Sequence, residues 1–248
     1  MSDPLGALRA AAAPGPRAPA ADARVALVAG AVGRLGEAVL NRVLGSGHYV
    51  RVVALARAPM ALGIQSLSLA SADALPAIDE VFLVRGQSDD PAGRSFYGRD
   101  AAFEAVDDGN CVSIARAAHA AGARRLVVVT PTPLWQQIGG WHAGLSGDEE
   151  LAIAALDWAC LTLLRPIGTG GTRARHWVER IAAIYTSLQM FALPRSMSVL
   201  PSEQVARCAL AAMRLPGDGV RVLGAERLQA LLDPVGAGSA QTPTEARR

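Results

Sequence analysis

Along the chain, short runs of apolar and β-branched residues alternate with longer stretches in which apolar positions recur at helical spacing. The first run, residues 25–29 (Val-Ala-Leu-Val-Ala), predicts a buried strand. Gly30, Gly33 and Gly36 follow it, and an amphipathic helix is expected to begin at the last of them. Residues 37–44 turn Ala38, Val39, Val43 and Leu44 inward, and Gly45-Ser46-Gly47 ends the helix. Further strands are predicted at 49–55, 64–69, 80–84, 125–130, 160–164 and 220–223, with Pro131 and Pro133 stopping the one at 125–130. Helices are predicted at 101–121, stopped by Gly122, and at 148–156, with acidic residues in the first turn. Others follow at 172–183, at 202–213 with Ser202 as N-cap, and at 225–232. Residues 89–99 and 135–147 carry the prolines and glycines of loops.

Strands alternating with helices imply an α/β fold, a Rossmann-type doubly wound parallel sheet with helices on both faces and a small C-terminal extension. The expected organisation is a disordered Ala/Pro-rich leader at 1–23, a single dinucleotide-binding domain at 24–232 and a disordered tail at 233–248. A small substrate lobe is expected from about 166 on. Ligands of such sheets bind beyond the carboxyl ends of the strands. Those ends fall here at Gly30, Arg57, Gly86, Thr130 and Pro166, which should define one crevice.

The order strand, glycine turn, helix is what gives the glycines their meaning. Backbone N–H groups at a helix N-terminus point outward, the helix dipole favours negative charge, and missing Cβ atoms let an anionic diphosphate approach. The plainer alternative is a strand–helix turn that merely needs glycine.

Composition narrows the classes. A hydrophobic fraction of 51% allows a large core, while aromatics at 4% mean that Ala, Val and Leu must build it. A net charge of +2 gives no nucleic-acid footprint. No apolar run approaches the roughly 18 residues of a membrane span. No secretory signal is evident, so the expected compartment is cytoplasmic. The three cysteines, Cys111, Cys160 and Cys208, are widely spaced in apolar contexts and read as buried free thiols in a reducing compartment. No cysteine–histidine cluster suggests a metal. All 24 basic residues are arginine, so no lysine can serve as base, Schiff-base amine or Walker phosphate ligand.

Three segments carry a resemblance. Gly30-Ala-Val-Gly33-Arg-Leu-Gly36 resembles the GxxGxxG loop of extended and atypical short-chain dehydrogenase/reductases. Residues 118–130, a helix end followed by Ala-Gly-Ala-Arg-Arg and Leu-Val-Val-Val-Thr, resemble their fifth-strand segment. Residues 156–166, ending in Leu-Arg-Pro, resemble their sixth strand. The similarity covers about 24–232 and is nearest to the NAD(P)H-binding branch with Tat-interactive-protein-like and NmrA-like members. It implies that Gly30, Gly33 and Gly36, with Val32, Arg34 and Leu35 between them, cradle the cofactor diphosphate. Arg34 and Arg57 would lie beside the adenosine ribose. An acid at the second strand's end favours NAD, whereas arginines pair with a 2′-phosphate, so NADP is expected and NAD is the second choice. Gly86, Thr130 and Pro166 would shape the nicotinamide half.

The catalytic part departs from the pattern. The family uses Ser or Thr at the fifth strand's end, then Tyr and a Lys four residues later. Thr130 fits the first role. Counting back from Arg165-Pro166 puts the pair near His142 and Ser146, but the chain has no lysine and 135–165 has no tyrosine. His142 is the candidate substitute, since imidazole titrates near neutral pH, with an exposed surface histidine as the alternative. His48, His119 and His176 read as solvated or capping. Trp135 and Trp141 could floor a substrate pocket or pack on the sheet edge. Two functions stay open: an NADP-dependent oxidoreductase with non-standard proton chemistry, or a non-catalytic NADP(H)-binding sensor or scaffold. Besides the dinucleotide, the expected partners are a small-molecule substrate or a protein, with the chain a monomer or homodimer and no nucleic acid or membrane involved.

Overall fold

Strands buried along their whole length need cover on both faces, and the chain supplies it. Every residue of β4 (Glu80–Val84) and β6 (Cys160–Leu164) is buried, as are the last four of β1 (Arg24–Ala29). The computed structural model describes residues 24–57, 66–85, 102–132, 145, 147–167 and 199–232. With β2 (Tyr49–Leu55), β3 (Leu67–Ala70), β5 (Arg125–Val129) and β7 (Gly219–Leu223), these strands form one parallel sheet in the order β3-β2-β1-β4-β5-β6-β7. The order reverses between β1 and β4. That is the switch point of a Rossmann-type doubly wound fold, as the sequence pattern implied.

Alternation along the strands divides the interior in two. Val28, Ala54, Phe82, Val127 and Leu164 face the layer of α1 (Gly33–Leu44), α4 (Ser202–Met213) and α5 (Ala225–Leu232). Leu27, Val53, Leu83, Val128 and Leu163 face α2 (Cys111–Ala120) and α3 (Asp148–Ala154). Cys111, Cys160 and Cys208 are buried and free, as expected. Burial raises the Cys208 thiol to about 11, and its Sγ donates to Leu228 O at 3.3 Å.

Several boundaries differ from the sequence reading. Helix α1 begins at Gly33 rather than Gly36, because Gly36 is a close-packed helical position and not a turn. The third strand lies at Leu67–Ala70. Strand β5 stops at Val129 and α3 at Ala154. Ser202 is the first helical residue and Pro201 occupies the cap position, without a side-chain cap hydrogen bond. His119 is not solvated: it packs edge-on against Trp158 at 4.9 Å between ring centroids.

The largest difference is at 101–121, where α2 starts only at Cys111. Ahead of it, Asp107 Oδ1 accepts from the N–H groups of Gly109 and Asn110, and Asn110 Oδ1 accepts from Asp107 N. Such Asp/Asn side chains satisfy the backbone outside a helix, so the turn at 107–110 competes successfully with helical extension. The expected leader, tail, loop at 89–99 and helix at 172–183 lie outside the described residues, and of the stretch from about 166 on, expected to form a substrate lobe, only 166–167 and 199–232 are described.

A polar clasp ties the strands together at the amino end of the sheet. Tyr49 donates to Glu80 Oε2 at 2.6 Å, while Arg24 Nη1 lies 2.9 Å from Glu80 Oε1. Burial, then the Glu80 carboxylate, pushes the Tyr49 hydroxyl well above its usual range, so it stays a donor at any physiological pH. Tyr49→Phe removes a buried hydrogen bond to a charged acceptor. It should lower the unfolding free energy by about 1.5–3 kcal/mol in urea titrations, with the slope unchanged. An unchanged midpoint would mean that the clasp contributes nothing to stability.

Candidate functional site

Beyond Ala29 the chain turns at Gly30, whose φ is +79°. A Cβ there would sit 2.0 Å from Val84 O and 3.1 Å from Val106 Cγ2. Gly33 opens α1 with φ +63°, and among the described residues a Cβ built on it meets nothing within 4 Å. Gly36 lies in the first turn, where a Cβ would fall 2.1 Å from Gly30 O and 2.8 Å from Ala31 C. The three glycines thus serve three different ends. Gly30 makes the tight turn, Gly33 leaves an open approach, and Gly36 allows close helix–strand contact. That is the division of labour of a dinucleotide loop.

The helix end itself suits an anion. Its N-cap, Val32, is extended and has no capping side-chain bond, and the first turn holds no acid. Among the described residues no side chain caps the leading N–H groups. Val32 and Leu35 are half-buried against the core, while Arg34 is exposed.

Arg57 is exposed at the end of β2. Here the chain adds a feature absent from the sequence reading. Ala56 pairs antiparallel with Phe103, with Arg57 N donating to Ala102 O at 2.8 Å and Glu104 N to Leu55 O at 3.0 Å. Three residues further, Val106 pairs in parallel with Arg85 beyond β4. Residues 102–106 therefore form a strap that runs from β2 to β4 over the early end of β1.

Thr130 follows β5 directly. Its N–H donates to Leu164 O, while Arg85 N donates to Val129 O and Arg165 N to Leu223 O. The register Val84↔Val129↔Leu164 thus continues one step, setting Arg85, Thr130 and Arg165 in a row across three neighbouring strands. Alternation turns that row toward the α2/α3 face.

The row's charges are met by α3. Arg165 Nη2 lies 2.5 Å from Glu150 Oε2, both side chains nearly sealed from solvent. Arg85 bridges Glu149 at 3.0 Å and also contacts Asp108. Burial pushes the neighbouring Cys111 thiol up.

The described residues thus bring Gly30, Val32, Gly33, Arg34, Leu35 and Gly36 into one loop. They place Arg57, Thr130 and the buried Pro166 at the same edge of the sheet. Gly86, His142, His176, Trp135 and Trp141 lie outside the described residues. Sequence reasoning missed Glu104 and the Arg85/Arg165–α3 ion pairs. The only signal for the latter was the Asp-Glu-Glu run opening α3. Among the described residues no group of three or more His, Cys, Asp or Glu could hold a metal, and no helix is long and apolar enough to cross a membrane.

The strand order, the switch point and this loop define the fold as a Rossmann-type doubly wound architecture. No family model and no curated protein matches the sequence. Among solved structures, the chain is similar to an oxidoreductase of the short-chain dehydrogenase/reductase family from Burkholderia thailandensis. The identity is 21%, the TM-score 0.46, and the match covers 84% of this chain and 94% of that one. It is also similar to a 3-oxoacyl (acyl-carrier-protein) reductase from Agrobacterium tumefaciens with NADP bound. There the identity is 15%, the TM-score 0.44, and the coverage 82% and 93%. The fold assignment rests on the chain's own topology.

The glycine geometry separates two substitutions. Gly36→Ala drives a Cβ into the backbone of Gly30 and should prevent a stable fold or lower the melting temperature steeply. Gly33→Ala has room and pays only the left-handed backbone, about 1–2 kcal/mol. It should fold with a modestly lowered melting temperature in thermal scans. Equal losses at the two positions would contradict the distinction.

Proposed function

We propose that this chain binds a nicotinamide dinucleotide in the Gly30–Gly36 loop, as a protein of short-chain dehydrogenase/reductase type acting as an NADP-dependent oxidoreductase. The observation that carries the reading is the open, uncapped α1 end at Gly33, held between two glycines that no other residue could replace without a clash. The bound cofactor would supply or accept the hydride. Of the chain's own residues, Arg34 and Arg57 are exposed cations suited to a 2′-phosphate at the adenosine end. Thr130, in a row on the α3 face, would polarise a substrate carbonyl by hydrogen bonding, and His142 would exchange the proton.

A second reading, a non-catalytic NADP(H) sensor or scaffold, is favoured by one feature. The chain has no lysine, and no tyrosine between Trp135 and Arg165. The familiar tyrosine–lysine pair therefore cannot form within it.

Fluorescence or calorimetric titration with NADPH and NADH tests the binding. Both readings expect NADPH to bind, with Gly33→Ala weakening it at least about tenfold, since a Cβ would obstruct the diphosphate. No binding of either nucleotide at high micromolar concentration would sink both. A cofactor-oxidation screen over carbonyl compounds then separates them. Turnover that falls on Thr130→Ala and His142→Ala, with NADPH affinity kept, supports the enzyme. An inert, nucleotide-binding protein supports the sensor.

A further inference from the structure

An acid reaches the end of β2 from a part of the chain remote from it in sequence. The antiparallel pairing of Ala56 with Phe103 fixes the register, so Leu55 lies opposite Glu104 and Arg57 opposite Ala102. Antiparallel strands place residues i and i+2 on one face. Ala56 and Phe103 share the α1 side, where Phe103 is part of the core. Leu55 belongs to the opposite layer. Arg57 and Glu104 therefore share the other face as a diagonal cross-strand pair, a spacing of roughly 7–8 Å that long side chains span. Neither makes an ion pair or side-chain hydrogen bond with another described residue. A cation and a carboxylate thus lie together beyond the end of β2, where the proposed dinucleotide would set its adenosine ribose.

We propose that Glu104 is a specificity-determining residue that reads the adenosine ribose, on the reading that the glycine loop binds a nicotinamide dinucleotide. Its carboxylate accepts hydrogen bonds from the ribose 2′- and 3′-hydroxyls of NAD(H). The same carboxylate opposes the 2′-phosphate of NADP(H), which Arg57 attracts. The two residues pull in opposite directions, so the site takes both cofactors. The NADP preference expected from the arginines alone is thereby held small. Residue 57 delivers its charge from β2, whereas residue 104 delivers its own from the strap, so each can be changed without moving the other's backbone.

The test titrates NADPH and NADH against the wild type, Glu104→Gln and Arg57→Ala, with thermal melts as a check on folding. The wild-type affinities should lie within about tenfold of each other. Glu104→Gln, of equal size and with the backbone pairing kept, should tighten NADPH and weaken NADH, widening the ratio by roughly tenfold. Arg57→Ala should weaken NADPH and leave NADH nearly unchanged. Raising the salt concentration should shrink the Glu104→Gln effect on NADPH. Wild-type binding with a ratio unmoved by Glu104→Gln, at an unchanged melting temperature, overturns this inference while leaving the dinucleotide site standing. Binding of neither nucleotide by the wild type overturns the two together.

Discussion

The contact of Gly36 with Gly30 O and Ala31, too close for any Cβ, determines how far α1 sinks onto the sheet. The helix must come in at this depth for Ala38, Val39 and Val43 to reach the layer shared with α4. It must also leave β1 abruptly, because the chain has to turn within Gly30–Val32 to enter it. The turn is possible only because Gly30 takes a positive φ against the carbonyl of Val84. Helix, turn and strand end are therefore one unit. The open N-terminus at Gly33 is its consequence.

Because β1 stops at Ala29 while β2 and β4 run on in Ala56 and Arg85, a slot opens between the two. The strap of 102–106 fills it, bonded to β2 through Arg57 N and Glu104 N and to β4 through the Val106 bridge. Unpaired backbone groups at two strand ends would otherwise face each other across a gap. The strap satisfies them and places Val106 against Gly30. It also parts the upper edge of the sheet into two regions. The β1–β2 side has the glycine loop and Arg57, and the β4–β6 side has Thr130 between two arginines.

Local pattern made most of this fold readable. Strands β2, β4 and β6 and helices α4 and α5 were legible to the residue, since each is a compact apolar run or helical period bounded by turn residues. The glycine loop was legible because its order is local too. What escaped depended on partners distant in sequence. The stretch before Cys111 has helix-forming alanines, and its pairing with residues near 56 and 85, together with the Asp107–Asn110 turn, keeps it out of the helix. The placement of Glu104 near Arg57 follows from that same pairing, so a search for acids near the end of β2 in sequence could not find it. The start of α1 was misplaced for a related reason: Gly36 looks like a boundary residue, and its actual role appears only once Gly30 stands beside it.

The arginine row bears on whether the site can do chemistry without lysine. Arg85 and Arg165 do not act on Thr130 as bare cations, since Glu150 closes on Arg165 and Glu149 and Asp108 close on Arg85. Burial makes the Arg165–Glu150 pair costly to break from either side. Together with the Arg85–Glu149 pair it fixes the first turn of α3 against the ends of β4 and β6, on either side of Thr130. What the row contributes at this edge of the sheet is position: two guanidinium groups pinned to α3 on either side of Thr130.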